Sequence, residues 1–186
     1  MDLDLGRTAL VVIDVQQGFD DADYWGPRDN PSCEANVLAL LDRWRDQDRP
    51  VVLVRHDSSD PRSPLHPSSP GNAFKPGVAG PHDLLVIKTV NSSFHGTPDL
   101  DAWLRASQVE AIVVCGITTN HCCETTARVG GNLGHRVFFA LDATHTFDRA
   151  DPAGEVVPAH VLARVSGANL HGEFATVVCT ADLLAH

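Results

Sequence analysis

Two adjacent cysteines, Cys122 and Cys123, are the residues of this sequence best placed for nucleophilic chemistry. They follow the apolar run 111–115, which is typical of a buried parallel strand and which Gly116 breaks. The Thr-Thr-Asn sequence at 118–120 offers N-caps for a helix that begins there. Free backbone N–H groups and the helix dipole lower the pKa of a thiol in a first helical turn. Either cysteine is therefore a candidate nucleophile, although buried cysteines commonly serve as small hydrophobic residues.

Other predicted strands also end in side chains that could assist a thiol. In an α/β protein the active site lies at the carboxyl ends of the parallel strands, so these side chains are expected to converge. A lysine favours the thiolate, and an aspartate can accept the thiol proton and return it to a leaving group. Taken singly, each could instead be a cap residue or a snorkelling lysine. The residues concerned are Asp14, Arg55-His56-Asp57, Lys88 and Asp142.

Apolar runs alternate with amphipathic segments along the whole chain, which predicts alternating strands and helices. Asn30-Pro31 and Thr97-Pro98 each predict a helix start, with a polar N-cap and proline at the first helical position. This alternation predicts a single domain, residues 1–186, with a three-layer α/β/α, Rossmann-like fold and a six-stranded, mostly parallel sheet. The predicted strands are 8–13, 51–54, 84–87, 111–115, 136–141 and 174–178, and a weaker helix is predicted over 155–170.

The stretch 57–80 is rich in Ser, Pro and Gly and lacks periodicity. A loop of this length inside a compact domain is usually a lid or binding loop, and we predict that role for it.

Composition narrows the class of protein. The 186 residues have a formal net charge of −10 and no basic run, which argues against nucleic-acid or anionic-membrane binding. Five cysteines, two of them adjacent, make a poor disulfide framework and favour a reducing compartment. Without a signal-peptide pattern or a membrane-length apolar run, we expect a cytoplasmic protein.

Three segments resemble the isochorismatase-like cysteine hydrolases, a family that includes nicotinamidases, N-carbamoylsarcosine amidase and streptothricin hydrolase. They are Val-Val-Ile-Asp-Val-Gln at 11–16, Lys-Thr-Val-Asn-Ser-Ser-Phe-His-Gly-Thr at 88–97, and Gly-Ile-Thr-Thr-Asn-His-Cys-Cys-Glu-Thr-Thr-Ala at 116–127. Their order and spacing agree with the family over nearly the whole chain. Three matching motifs together are specific, whereas each one alone would be weak.

The resemblance implies a catalytic triad of Asp14, Lys88 and Cys122, because Cys123 falls where the family usually has a small apolar residue. It also implies a non-proline cis peptide at Ile117–Thr118 and an oxyanion hole formed by the backbone N–H groups of Thr118 and Cys122. The function it implies is hydrolysis of a C–N bond in a small amide or lactam through a thioester, without a cofactor. A homodimer or homotetramer is implied as well.

Several alternatives remain open. Metal-dependent nicotinamidases carry an Asp-x-His set after the second strand, whereas His56-Asp57-Ser58 breaks that pattern here; His56, Asp57 and His66 could still bind a metal in another arrangement. Segments at 25–28, 55–57 and 171–175 most resemble the relatives of streptothricin hydrolase. Isochorismatase-type cleavage of a vinyl ether and a thiol redox or sensor role for Cys122-Cys123 are the competing functions. Aromatic candidates for the pocket wall are Phe19, Tyr24, Trp25 and Phe94.

Overall fold

A computed structural model describes residues 5–186 of the chain. The strands are β1 (Thr8–Ile13), β2 (Val51–His56), β3 (Leu84–Lys88), β4 (Ala111–Ile117), β5 (Arg136–His145), β6 (Arg149–Ala150), β7 (Val156–Val157) and β8 (Thr176–Val178). The helices are α1 (Ala22–Trp25), α2 (Cys33–Asp46), α3 (Leu100–Ala106), α4 (Glu124–Asn132), α5 (Ala159–Leu170) and α6 (Thr180–Leu184). Within this part of the chain, no helix is long and apolar enough to cross a membrane.

Six of the strands form one parallel sheet in the order β3-β2-β1-β4-β5-β8, which confirms the predicted α/β fold. The chain first builds outward from β1 through β2 to β3 and then returns to place β4 on the other side of β1. The carboxyl ends of β1 and β4 therefore flank the point where the strand order reverses, which is where α/β folds bind ligands.

Side chains of the central strands alternate between two cores, one on each face of the sheet. Leu10 and Val12 of β1 pack in the core that α2 and α6 cover, whereas Val11 and Ile13 pack in the core beneath α3, α4 and α5. This two-sided burial explains why the strands are continuously apolar rather than alternating. The sheet is the middle of three layers.

Gly116 lets β4 approach β1 closely at the site end of the sheet. Its φ is +123°, and a Cβ atom at this position would collide with the carbonyl oxygen of Ile13. Any side chain at position 116 would push β1 and β4 apart. These strands end directly before Asp14 and Thr118. The glycine break in the apolar run is therefore a requirement of the strand pairing.

Two predicted helix starts are wrong. α2 begins at Cys33: Asn30 Oδ1 accepts from the N–H of Ser32 (3.3 Å), ahead of the helix, while the Asn30 amide donates to the carbonyls of Asp142 and Thr144 (2.8 and 2.6 Å). α3 begins at Leu100, where Asp99 accepts from the N–H of Ala102 and so serves as the N-cap; Thr97-Pro98 forms a cis peptide before it. The weaker predicted helix is α5, and the short hairpin β6–β7 was not predicted.

Candidate active site

Asp14, Lys88 and Cys122 meet at the carboxyl end of the sheet. Asp14 follows β1 with φ +52°, Lys88 is the last residue of β3, and Cys122 lies in a π-helical turn between β4 and α4. Lys88 Nζ is 2.6 Å from Asp14 Oδ2 and 3.4 Å from Cys122 Sγ. All three side chains are buried.

The Lys88 ammonium uses its donors within this cluster. An ammonium carries three N–H groups and no acceptor, and Nζ has three neighbours: Asp14 Oδ2, Cys122 Sγ and, at 3.1 Å, His56 Nδ1. Burial alone would lower the pKa of Lys88, but Asp14 and Cys122 outweigh it and raise that pKa above its ordinary value. The lysine therefore remains charged and orients all three neighbours.

Burial, together with the nearby Asp14 carboxylate, raises the pKa of Cys122 to about 12, against the lowering effect of Lys88. Desolvation of the sulfur thus opposes the thiolate that Lys88 and a helix N-terminus were expected to favour. Asp14 Oδ1 is buried and has no hydrogen-bond partner among residues 5–186, so it is free to accept the thiol proton.

A cis peptide joins Ile117 to Thr118, directly before the π-helical turn. The Thr118 carbonyl accepts from the N–H groups of His121 (3.4 Å) and Cys123 (3.1 Å). Thr118 and Cys122, whose N–H groups the resemblance names, both line the cavity beside the Cys122 sulfur.

A cavity of about 110 Å³ opens beside the sulfur. Pockets for drug-sized ligands span roughly 300–1,000 Å³, so this one suits a molecule of few heavy atoms. Asp14 is the one charged residue in its lining, which consists of Asp14, Phe19, Trp25, His56, Leu65, Asn91, Thr118, His121 and Cys122.

Of the four aromatic residues predicted to form the pocket wall, two line the cavity and two do not. Phe19 and Trp25 line the cavity and pack together, with ring centroids 4.8 Å apart. Phe94 does not line it: its ring stacks on His135 beside α4, away from the cavity. Tyr24 does not line it either, since its ring is 48% exposed and packs edge-on against Trp25.

Some lining residues were missed from the sequence. His121 could have been noticed because it directly precedes Cys122. Leu65 and Asn91 lie in segments without periodicity, and no local pattern marks them. Asp142, predicted at a strand end near the site, instead accepts from the backbone N–H and hydroxyl of Thr180 at the start of α6.

The residues considered for a metal do not converge. Asp57 pairs with Arg55, and His66 bonds to Ser68. Over residues 5–186 the possible ligand set is Asp14, His56 and Cys122, whose ligand atoms lie within 4.8 Å of one another. The Lys88 ammonium already contacts all three, and a bound cation would have to displace it; these residues therefore do not fit a metal.

Comparison with known proteins agrees with this fold. Residues 8–178 match the family model described as Isochorismatase domain, and the chain belongs to the isochorismatase family of hydrolases. The uncharacterized isochorismatase family protein YrdC of Bacillus subtilis is 38% identical over 96% of this chain and 95% of its own length. Nicotinamidase 3 of Arabidopsis thaliana is 35% identical over 75% of this chain and 74% of its own length. A solved isochorismatase-family structure from Chromobacterium violaceum has 40% identity and a TM-score of 0.93, covering 100% of this chain and 95% of that one.

Proposed function

We propose that this protein hydrolyses the C–N bond of a small, neutral carboxamide through a thioester on Cys122. The observation that carries the proposal is the Lys88 ammonium, which touches both the Asp14 carboxylate and the Cys122 sulfur at the wall of a small cavity. The similarity to a nicotinamidase supports an amide substrate.

In the acylation half, the Cys122 sulfur attacks the amide carbon while its proton passes to Asp14. The N–H groups of Thr118 and Cys122 stabilise the oxyanion, and Lys88 offsets the negative charge on the sulfur during transfer. Collapse of the tetrahedral intermediate breaks the C–N bond, and Asp14 gives its proton to the departing amine. A thioester and a neutral amine result, so protons and electrons balance.

In the hydrolytic half, water takes the place of the amine. Asp14 accepts a proton from water as its oxygen attacks the thioester carbon, and the proton returns to the sulfur when the C–S bond breaks. The products are a carboxylic acid and the regenerated thiol. Asp14 thus acts as base and then acid in each half-reaction.

The cavity favours neutral substrates over the carboxylate-bearing substrates of a vinyl ether hydrolase. Asp14 is the one charged lining residue, and Lys88 already contacts three acceptors. A substrate carboxylate would lie beside Asp14 without a counter-charge, which is costly in a desolvated site. A redox pair is disfavoured because Cys123 is wholly buried in the core beneath α4.

A substrate panel with two readouts tests this proposal. The panel contains small aliphatic carboxamides, nicotinamide, a lactam of the streptothricin type and a vinyl ether acid; ammonia or acid release is measured, and mass spectrometry of quenched enzyme detects the acyl adduct. We expect turnover of the small amides and an adduct on the peptide that contains Cys122. Turnover confined to the vinyl ether, or an adduct elsewhere, would refute the proposal.

A further inference from the structure

His56 lies in the wall of the cavity, yet the reaction described above gives it no role. It is the last residue of β2 and is half-buried, with Nδ1 3.1 Å from Lys88 Nζ. The other ring nitrogen, Nε2, has no hydrogen-bond partner among the described residues and is not a buried atom. This nitrogen is therefore open to a bound molecule.

The contact with Lys88 fixes the proton on the imidazole ring. An ammonium can only donate, so Nδ1 must be the acceptor, and a neutral imidazole then carries its hydrogen on Nε2. Burial, followed by the Lys88 charge, lowers the pKa of His56 and keeps the ring neutral at neutral pH. His56 therefore presents an N–H donor at the edge of the ring away from Lys88.

The backbone of His56 is held by a buried side chain. Gln16 accepts from the His56 N–H (2.9 Å) and donates to the His56 carbonyl (3.1 Å), which Asn72 also contacts (3.2 Å). Gln16 is fully buried, so the backbone position of His56 is set by the fold, and the contact of Nδ1 with Lys88 orients the ring. A donor fixed in both position and tautomer is suited to selecting a substrate.

Asn91 and His121 are also polar residues of the cavity wall, but their donors are not fixed in this way. Asn91 is exposed, and its Oδ1 faces the Cys122 sulfur at 3.7 Å. His121 is half-buried with no partner on its ring nitrogens among the described residues, so its tautomer is not set. The rest of the wall is largely apolar, formed by Phe19, Trp25 and Leu65.

We infer that His56 is a specificity-determining residue that donates a hydrogen bond from Nε2–H to an oxygen in the acyl part of the substrate. The preferred substrates are then small neutral amides that carry a second acceptor oxygen near the scissile carbonyl, such as 2-oxo amides. This inference rests on the proposed amide hydrolysis. A site that offers a fixed donor discriminates against an isosteric substrate that lacks the acceptor.

The test compares pyruvamide, which has the acceptor oxygen, with isobutyramide, which has a methyl group in its place. Their kcat/KM ratio is measured for the wild type, His56→Asn and His56→Gln. Asn at this position keeps an oxygen near Nδ1 for Lys88 but loses the Nε2–H, whereas Gln places an amide N–H near Nε2. His66→Asn, a histidine of the 57–80 loop outside the cavity, is the matched control.

We expect the ratio to fall about 3–10-fold in His56→Asn, the range of one neutral hydrogen bond, and to recover at least partly in His56→Gln. The control should keep the wild-type ratio. An unchanged ratio in His56→Asn, with both amides still hydrolysed, would overturn the role of His56 and leave amide hydrolysis standing. A wild type that hydrolyses no amide of either panel would overturn both.

Nitrogen NMR of the wild-type imidazoles gives a second measurement that needs neither turnover nor a folded variant. With the ring of His56 assigned through its own backbone, we expect the neutral form protonated at Nε2 at pH 7. A ring protonated at Nδ1, or at both nitrogens, would overturn the inference.

Discussion

At the scale of single residues, the two neighbouring thiols have opposite surroundings. The Cys122 sulfur lies at the cavity and contacts Lys88, whereas Cys123 is fully buried, and burial raises its pKa well above the ordinary value. We predict that Cys122→Ala abolishes turnover and the acyl adduct, while Cys123→Ala retains at least about a tenth of the activity. Ammonia release and intact mass of both variants check this. A dead Cys123→Ala variant that remains folded would mean that the wrong sulfur has been assigned.

Lys88 supports both the chemistry and the fold. We predict that Lys88→Met lowers kcat at least about 100-fold, because the sulfur loses its counter-charge and Asp14 its orientation. The same change should lower the free energy of unfolding by about 3–5 kcal/mol, since it leaves the buried Asp14 carboxylate unpaired. Steady-state kinetics and urea unfolding measure the two effects.

The double variant Asp14→Asn/Lys88→Met separates these contributions. Removing both charges should restore part of the lost stability without restoring activity, because neither the base nor the counter-charge remains. A Lys88→Met enzyme within tenfold of the wild-type kcat would contradict the role assigned to the lysine.

Chelation tests the lysine-centred site in another way. Since the Lys88 ammonium contacts every candidate ligand of the Asp14–His56–Cys122 cluster, prolonged dipicolinate treatment should change activity less than about twofold. Inactivation by the chelator with recovery on adding zinc or iron would show that a metal displaces the lysine.

At the scale of elements, local signals predicted the strands well and the helix starts less well. A continuously apolar run such as residues 8–13 is buried on both sides wherever it lies in the sheet, so composition alone identifies it. The start of α2 depends instead on Asn30, whose side chain bonds to carbonyls more than a hundred residues away. Contacts between residues so far apart in the chain leave no pattern in the sequence around Asn30.

The candidate site could likewise be predicted from the sequence only in part. Topology brings strand ends together, so Asp14, Lys88 and the cysteine helix could be associated from the sequence. The rise in the pKa of Cys122 could not be predicted, because it follows from burial in the folded chain. The wall residue Leu65 lies in the 57–80 loop, whose lack of periodicity predicts a loop but none of its contacts.

The buried amide of Asn72 connects that loop to the site. The Asn72 side chain donates to the Leu65 carbonyl (2.8 Å), the His56 carbonyl (3.2 Å) and Asp57 Oδ1 (3.0 Å). We predict that Asn72→Ala raises KM at least about threefold with a smaller change in kcat, because it loosens the cavity wall but removes no reacting group. Ser68→Ala, an exposed change in the same loop, is the control. Equal effects of the two substitutions on KM would contradict this anchoring role.

At the scale of the whole molecule, acid should destabilise the fold partly through one histidine of β5. His145 is fully buried, and neither ring nitrogen has a hydrogen-bond partner in the part of the chain that the structure describes. Burial, followed by the charge of Arg28, lowers its pKa from the ordinary 6.5 to about 3, although Glu34 Oε1 lies 3.7 Å from Nε2 and acts in the opposite direction. The folded protein therefore holds this ring neutral at pH values where the unfolded chain protonates it.

The sign of the effect follows from that difference in pKa. Between pH 6.5 and about 3 the unfolded state binds the extra proton, so the free energy of unfolding falls as the pH falls, by at most about 1.4 kcal/mol per pH unit from this group. Glu34 adds to the loss at lower pH: burial opposes ionisation, but Arg28 and Lys75 outweigh it and hold the pKa of that carboxyl far below its ordinary value. The contribution of Glu34 is present in the wild type and in a His145 variant alike.

Urea unfolding at about pH 7.0, 5.5 and 4.5 resolves such a slope. The free energy of unfolding should decline less steeply with falling pH for His145→Gln than for the wild type and for the loop control His66→Gln. Parallel declines in all three proteins would show that His145 is protonated in the folded state or that its burial is relieved by acid without unfolding.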